Sequence, residues 1–325
     1  MNPVNSSALV SIIIVNYNAG SFLPKCIQSI LSQAYPFVEI ILVDNASQDG
    51  SIVLIAPDEK IRIILNQTNA GFARAQNQGM KLARGQYLMP LNFDILLAPD
   101  FLAEMVAAIE VSDRIGTVSP KFLRMVDGSR QTDQIDNAGL LLPGNRVPFH
   151  RGRDERDHGQ YDTMAYVFGA MGAAALYRRE MLEDIAYQGQ YFDESYFTWY
   201  EDVDLDWRAR LRGWDCLYAP GAVAYHAGDP HGHGKSKFGA QTSMRNRWKM
   251  ILTNECPGCF FRYFWKLAGE EMGLFRHVLL NGLILQYASA MASLVRSLPG
   301  ILKKRRWVRG RAVRKRLPDY PLPFY

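Results

Sequence analysis

LVSIIIVNYN (residues 9–18), VEIILVDNASQDG (38–50), IRIILNQTNAGFARAQNQG (61–79) and QYLMPLNFD (86–94) follow one another within the first hundred residues. Each contains an apolar run, at 9–15, 38–43, 61–65 and 87–91, that is β-branched or aliphatic and bounded by polar residues. A run without polar alternation suits a strand covered on both faces. Segments that read as helices lie between the runs, at 21–33, 47–55 and 72–83. The alternation of strand and helix predicts an α/β fold, Rossmann-like, with a mostly parallel sheet flanked by helices.

The ends of the four runs carry further information. They close on Asn16-Tyr17-Asn18, on Asp44-Asn45, on Asn66 to Asn69, and on Asn92-Phe93-Asp94. Open α/β sheets bind ligands beyond the carboxyl ends of their strands. Asn and Asp are common turn formers, so a single such ending would carry no weight. Four in a row predict a polar ligand lying across that edge. No GxGxxG follows the first run, which disfavours a dinucleotide site. Gly234-Lys235-Ser236 looks like the end of a phosphate-binding loop, but Asp229 stands where that loop needs glycine and no strand precedes it.

The 325 residues include 37 Lys+Arg and 32 Asp+Glu, a formal net charge of +5. Ten of the basic residues fall between 296 and 316, a stretch without an acid; the remaining 27 basic and 32 acidic residues leave the body mildly acidic. A basic tail of this kind meets an anionic surface, membrane or nucleic acid. With 48% hydrophobic and 21% charged residues, the chain is neither disordered nor collagen-like. The N-terminus lacks a basic region and a long apolar run, so no signal peptide is expected there. Four cysteines make no disulfide framework, and Cys256-Pro-Gly-Cys259 is expected as a reduced structural pair, with zinc shared with His231 and His233 as the lesser alternative.

The densest cluster of charge is Tyr200-Glu201-Asp202-Val203-Asp204-Leu205-Asp206-Trp207-Arg208-Ala209-Arg210. Its acids lead and its bases follow, as a helix dipole favours, and on a helix Asp202 and Asp206 share a face. Phe192, Tyr196, Phe197, Trp199 and Tyr200 crowd its approach. A carboxylate held among aromatics is partly desolvated, which raises its pKa toward the range of a general base. Residues 127–166 are polar, Gly-rich and weakly periodic, and read as a long surface excursion suited to acceptor contacts; 173–177 reads as a strand.

Taken in order, VNYN (15–18), VDNAS with the following DG (43–50), NAGFARAQNQG (69–79), LNFD (91–94), FGAMGAAALYRRE (168–180), FDESYFTWYEDVDLDWRARLRGW (192–214), the histidine after AVAY and RNRW (245–248) resemble the family 2 glycosyltransferases of GT-A fold, and within them the bacterial rhamnosyltransferase-like branch. The resemblance covers about residues 9–255. It implies a catalytic domain over 1–255, and the residues beyond it, 256–325, read by their own composition as a helical, basic, membrane-associating C-terminal extension. The resemblance implies an inverting transferase using a dTDP- or UDP-sugar, dTDP-L-rhamnose foremost, with a lipid-linked or cell-surface saccharide as acceptor. Asp44 would recognise the pyrimidine and ribose, supported by Asn16, Asn18, Asn45 and Asn69. Asp94 matches the last position of the family's acidic DxD, while Asn92 replaces the first Asp; Asp94 and His226 would hold Mg²⁺ or Mn²⁺ against the diphosphate. Gly169 and Gly172 would shape the donor and acceptor pocket, Arg245 and Arg247 would meet phosphates, Asp202 would be the general base, and Glu201 its alternative.

In the extension, Phe260, Phe261, Tyr263, Phe264 and Trp265 are interleaved with Arg262 and Lys266, as at a membrane interface. Residues 278–295 carry no charge but include Asn281, Gly282 and Gln286, and read as an interfacial or protein-packed helix rather than a span; a homo-oligomer contact is the remaining role. Membrane contact is expected across 260–316, which places the enzyme at the inner face of a bacterial plasma membrane. A processive synthase is disfavoured because Met244 stands where QxxRW needs glutamine. A nucleic-acid-binding protein is disfavoured by the acidic body, and an inert sugar-binding module by the joint presence of Asp44, Asp94, Asp202 and His226.

Overall fold

The computed structural model describes residues 7–126, 128–228 and 236–317. In chain order the elements are β1 (Val10–Asn16), α1 (Phe22–Leu31), β2 (Val38–Asp44), β3 (Ile61–Leu65), α2 (Phe72–Leu82), β4 (Tyr87–Leu91), β5 (Ile95–Leu97), α3 (Phe101–Ile109), β6 (Ile115–Val126) and β7 (Arg130–Asn137). They continue with β8 (Leu140–Leu141), β9 (Phe149–His150), β10 (Ala165–Val167), β11 (Leu176–Arg178), α4 (Arg179–Ile185), α5 (Glu201–Arg212), β12 (Asp215–His226), α6 (Lys237–Asn254), α7 (Pro257–Arg262), α8 (Phe264–Leu280) and α9 (Ile284–Gly310).

The central sheet runs β10-β12-β6-β11-β4-β1-β2-β3, with β5 on β12 and β7 on β6. Strands β3, β2, β1 and β4 are mutually parallel, and the register sets Asn16 beside Asp44 at their carboxyl ends. Strand β11 is antiparallel to β4 and β6, and β6 is parallel to β12. The uninterrupted apolar runs are explained by burial on both faces. Ile12 and Ile14 of β1 pack into one core with α1 and α3, and Ile13 and Val15 into another with α2, α4 and α5. The mostly parallel α/β sheet expected from the sequence is present.

Three local readings need correction. The segment 47–55 holds only a 3₁₀ turn, Ser51–Leu54. Side chains take its backbone N–H groups instead: Asp44 accepts from Ser47, Asn18 from Gln48 and Asp49 from Ser51. The supposed surface excursion contributes β7 and β10 to the sheet and the β8–β9 ladder, because Ile135, Ala138, Leu140 and Leu141 are buried there. The strand expected at 173–177 is only the three residues of β11, since 172–174 serves the site described below.

The uncharged run 278–295 is not one helix. It breaks at residues 281–283, where Gly282 has φ +65, between α8 and α9. Helix α9 packs along α6, with Ala290, together with Val278 of α8, buried beside Met244 and with Val308 buried beside Met250, Ile251 and Trp207. Among the described residues no helix is long and apolar enough to cross a membrane.

Candidate active site

The parallel strand ends form one hydrogen-bonded lattice. Asn16 donates from Nδ2 to Asp44 Oδ1 at 2.7 Å and to Ser51 Oγ at 2.9 Å, and its Oδ1 accepts from Ala19 N. Asp44 also accepts from Ser47 N. Asn45 donates to Asn69 Oδ1 and the Gly71 carbonyl and accepts from Asn66. Asn18 takes up φ +55 and joins the two loops by accepting from Gln48 N. The structure thus brings together Asn16, Asn18, Asp44, Asn45 and Asn69, residues scattered over more than fifty positions. Each donor and acceptor fixes another, so the edge is a rigid polar surface.

At the end of β4, Asn92 and Phe93 are partly exposed and Asp94 is buried. Pairing of β5 with β12 sets His226 opposite Ile95, which brings its Nε2 to 3.4 Å from Asp94 Oδ2. Its Nδ1 lies 2.8 Å from Asp136 Oδ2 on β7. Burial by itself would lower the imidazole pKa, but hydrogen bonding to Asp136 and Asp94, followed by their charges, raises it to about 10. A divalent cation fits this donor set. Asp94 offers a hard oxygen and His226 Nε2 converges on it, while Asp136 holds the other ring nitrogen, the outer-shell arrangement that orients metal-bound histidines. Asp136 was not anticipated; it lay in the segment read as a loop.

The third component is the start of α5 and the glycine segment before β11. Asp202 Oδ2 accepts from Gly172 N at 2.9 Å, and Asp206 Oδ2, one turn on, accepts from Ala170 N at 2.8 Å. The carboxylates approach so closely that a Cβ at Gly169 would lie 2.3 Å from Asp206 Oδ2, and one at Gly172 3.0 Å from Asp202 Cβ. Gly169 is buried under Asp206, so the structure corrects its assignment to the ligand pocket: it is a packing position. The adjoining Ala173 carbonyl accepts from Asn92 N at 2.8 Å. Residues 172–173 therefore join Asp202 directly to the end of β4.

Asp202 is partly exposed, whereas Glu201 is buried with an oxygen lacking any hydrogen-bond partner. Burial raises the pKa of Asp202, partly offset by the Gly172 and Val203 amides. Burial and then the Asp202 charge push Glu201 well above the ordinary range. Burial also moves Asp206 up to about 8. Of the three, Asp202 alone is not buried, so Glu201 is the poorer candidate for its role.

The loop leading to α5 is strained. Phe197, Trp199 and Tyr200 have φ of 68, 63 and 70, a left-handed conformation that such bulky residues rarely adopt. Asn246 of α6 holds it by donating to the carbonyls of Tyr196, Thr198 and Trp199. Arg245 donates to those of Ser195 and Tyr196 rather than standing free for a phosphate. Arg247 is also corrected: its guanidinium is buried on Glu271 at 3.1 Å and the Asn145 carbonyl at 2.9 Å, so its charge is neutralised within the protein. On the opposite face of α5, Asp204 meets Arg208, Asn254 and Lys304, and Lys304 also pairs with Asp193. The C-terminal helix is thereby bolted to the helix that carries Asp202. Cys256 and Cys259 form a disulfide, not the expected reduced pair, so with Glu255 they offer no thiolate to a metal; His231 and His233 lie outside the described residues.

Comparison with known proteins adds to this geometry. Residues 11–186 match the model of the glycosyl transferase family 2. The chain is 30% identical to the glycosyltransferase GlyG of Streptococcus pneumoniae over 111 residues, 33% of this chain and 37% of that protein. It is 24% identical to a poly-beta-1,6-N-acetyl-D-glucosamine synthase of Staphylococcus epidermidis over 221 residues, 66% of this chain and 49% of that protein. The chain thus spans less than half the length of either relative. Among solved structures, a mannosyltransferase of Pyrobaculum calidifontis in complex with GDP-Man and Mn²⁺ superposes with a TM-score of 0.56 at 18% identity, covering 94% of this chain and 86% of that one. That likeness establishes a GT-A-like fold.

Proposed function

The chain belongs to glycosyl transferase family 2, and on that premise we propose that it transfers a sugar, L-rhamnose from dTDP-rhamnose foremost, to a hydroxyl of a lipid-linked or cell-surface saccharide. The observation that carries this reading is the junction at residues 172–173. It joins the partly exposed Asp202 to the end of β4, next to the strand-end lattice and the Asp94–His226 pair. Donor and acceptor sites are adjacent in such an arrangement.

In this reading the Asn16–Asp44–Asn45 lattice receives the nucleoside. Asp44 keeps oxygen lone pairs for the base or ribose while Asn16 and the Ser47 amide fix its carboxylate plane. Asp94 and His226 would hold Mg²⁺ or Mn²⁺, which when bound supplies positive charge opposite the diphosphate. Asp202 takes the proton of the attacking hydroxyl as that oxygen bonds to the anomeric carbon. The bond from that carbon to the diphosphate breaks on the opposite side, and the nucleoside diphosphate leaves with the electron pair. Configuration inverts. Partial desolvation suits Asp202 to the proton transfer, because its raised pKa strengthens it as a base.

We also propose that the enzyme sits at the inner face of the bacterial plasma membrane, where a nucleotide-activated donor and a lipid-linked acceptor would meet. The test of the transferase reading is a donor screen. Release of nucleoside diphosphate is measured from dTDP-rhamnose, UDP-glucose, UDP-galactose and UDP-GlcNAc, with Mg²⁺, with Mn²⁺ and with chelator. Fastest turnover of dTDP-rhamnose with metal is expected. Faster turnover of a UDP-hexose would replace the donor, and failure to turn over or bind any of them would overturn the reading.

A further inference from the structure

The sequence spreads membrane contact evenly over 260–316, but the structure divides that segment in two. In the basic run, Lys304 is buried on Asp193 and Asp204, Arg311 pairs with Asp184 and Arg314 with Asp215. Arg305 and Arg309 donate to the carbonyls of Leu252, Asn254 and Lys315. Half of the ten cations therefore hold α9 and the residues just after it against the rest of the chain.

The segment 261–285 has the opposite character. Phe261, Trp265, Leu280 and Leu285 are 77%, 83%, 75% and 79% exposed, and Phe264, Met272, Phe275, Leu279 and Ile284 are exposed beside them. Exposed apolar side chains occur singly on most soluble surfaces; nine within 25 residues do not. Between them a mostly apolar groove of about 550 Å³ opens, walled by Trp248, Phe264, Leu267, Met272 and Phe275, with the charged Glu271 and Arg276 also on its lining.

The exposed charges around this face have one sign. Residues 256–295 contain two acids, Glu270 and Glu271. Both are half-buried and engaged by the protein's own donors: Glu270 accepts from Asn145 at 2.9 Å, and Glu271, at the groove wall, accepts from Arg247, Trp248 and Tyr287. Arg262, Lys266, Arg276 and His277 remain exposed among the aromatics. An apolar face with aromatic residues and exposed cations, its two carboxylates already held by Asn145, Arg247, Trp248 and Tyr287, complements an anionic bilayer surface, where rings enter the headgroup region and cations meet lipid phosphates.

We propose that residues 261–285 are the membrane-docking surface, inserting their exposed aromatic and aliphatic side chains into an anionic phospholipid bilayer with an acyl chain taken up by the groove. The basic run is secondary to this contact. Helix α9 leads away from the exposed Leu285 at about 1.5 Å per residue, so Lys303 and the cations beyond it lie roughly 27 Å or more along the chain from that corner, several Debye lengths at physiological salt. The groove wall also reaches the catalytic machinery: Trp248 is two residues from Asn246, which holds the loop before Asp202.

The test needs no sugar donor, so it stands or falls separately from the transferase reading. The full chain is sedimented with phosphatidylcholine vesicles containing phosphatidylglycerol and with phosphatidylcholine alone. It is compared with Trp265→Ser, with Phe261→Ser/Trp265→Ser/Leu285→Ser, and with Lys303→Gln/Arg306→Gln/Lys315→Gln/Arg316→Gln. All these side chains except that of Trp265 in the single variant are changed together, so thermal melting is run alongside. Wild type should bind the anionic vesicles. The triple variant should lose at least tenfold in partition with an unchanged melt, Trp265→Ser at least threefold, and the tail variant less than either. Brominated lipid should quench wild-type tryptophan fluorescence more than that of Trp265→Phe. Undiminished binding by the triple variant, or loss confined to the tail variant, would overturn the proposal. So would a wild-type dimer that the triple variant dissolves without change in vesicle binding, since a second copy would then cover the face.

Discussion

Replacing Lys304 with methionine probes how far the C-terminal helix is part of the catalytic unit. The change keeps the aliphatic stem and removes an ammonium group lying 2.8 Å from Asp193 and 2.9 Å from Asp204. Lys304 is 4% exposed at its side chain and Asp204 not at all. Removing one partner of a buried ion pair costs about 3–5 kcal/mol, because the other charge is left desolvated. Here Asp204 keeps Arg208 at 3.0 Å and Asn254 at 2.8 Å, and Asp193 keeps Lys249 at 3.2 Å. The loss should therefore fall at the lower end, about 3 kcal/mol. Urea unfolding at pH 7, followed by far-ultraviolet circular dichroism, should show the midpoint falling by about 1 M for a slope near 3 kcal/mol/M.

The pH dependence gives a second handle on the same variant. The lysine and arginine charges outweigh burial and hold Asp193 and Asp204 below their ordinary carboxylate values. A depressed carboxylate contributes stability above its unfolded pKa of about 3.9 and loses it as pH falls through the folded-state value. The variant lacks much of that contribution, so its deficit should shrink on acidification below about pH 4. A deficit under 1 kcal/mol at pH 7, or one that is flat with pH, would refute the argument that Lys304 fastens α9 to the helix bearing Asp202.

Three further outcomes are expected. Asp136→Asn removes the carboxylate that orients His226 and should weaken Mn²⁺ affinity about 10–100-fold by calorimetry. Gly169→Ala forces a Cβ against Asp206 and should destabilise the chain by about 1–3 kcal/mol in urea unfolding, since the carboxylate is already held by Ala170 and Thr117. The rate of transfer should fall on the acid side as Asp202 is protonated, with the limb lying above the ordinary aspartate value near 3.9 because its pKa is raised; a profile flat down to pH 4 would exclude it as base.

The strands were legible because burial on both faces leaves no room for polar residues, and the apolar runs of β1, β2 and β4 record that directly. The gathering of polar strand ends was legible for a related reason: the parallel register puts Asn16, Asp44 and Asn92 at one end of the sheet. Asp202 stood out through its acidic run and aromatic approach. Asp136 was hidden in a polar segment, although Ile135 and Ala138 on either side carried a weak apolar pattern that could have marked a strand. The segment 47–55 is not the expected helix because Asp44, Asn18 and Asp49 take the N–H groups of Ser47, Gln48 and Ser51, an effect of tertiary placement. Arg247 looked like a phosphate ligand until Glu271, 24 positions away, was seen to neutralise it. The bond from Lys304 to Asp193 joins residues 111 apart. No local pattern announces such a pair, and counting charges along the tail hid it.

The most direct test is the turnover of Asp202→Asn beside wild type, on whichever nucleotide sugar the donor screen selects. Asparagine can still accept from Gly172 N, so the start of α5 should keep its shape and nucleotide affinity should be unchanged. Loss of the proton acceptor should lower kcat by roughly 10²–10⁴. Turnover within a few-fold of wild type would contradict the assignment of Asp202, and with it the account of how strand edge, glycine segment and α5 together form a transferase site.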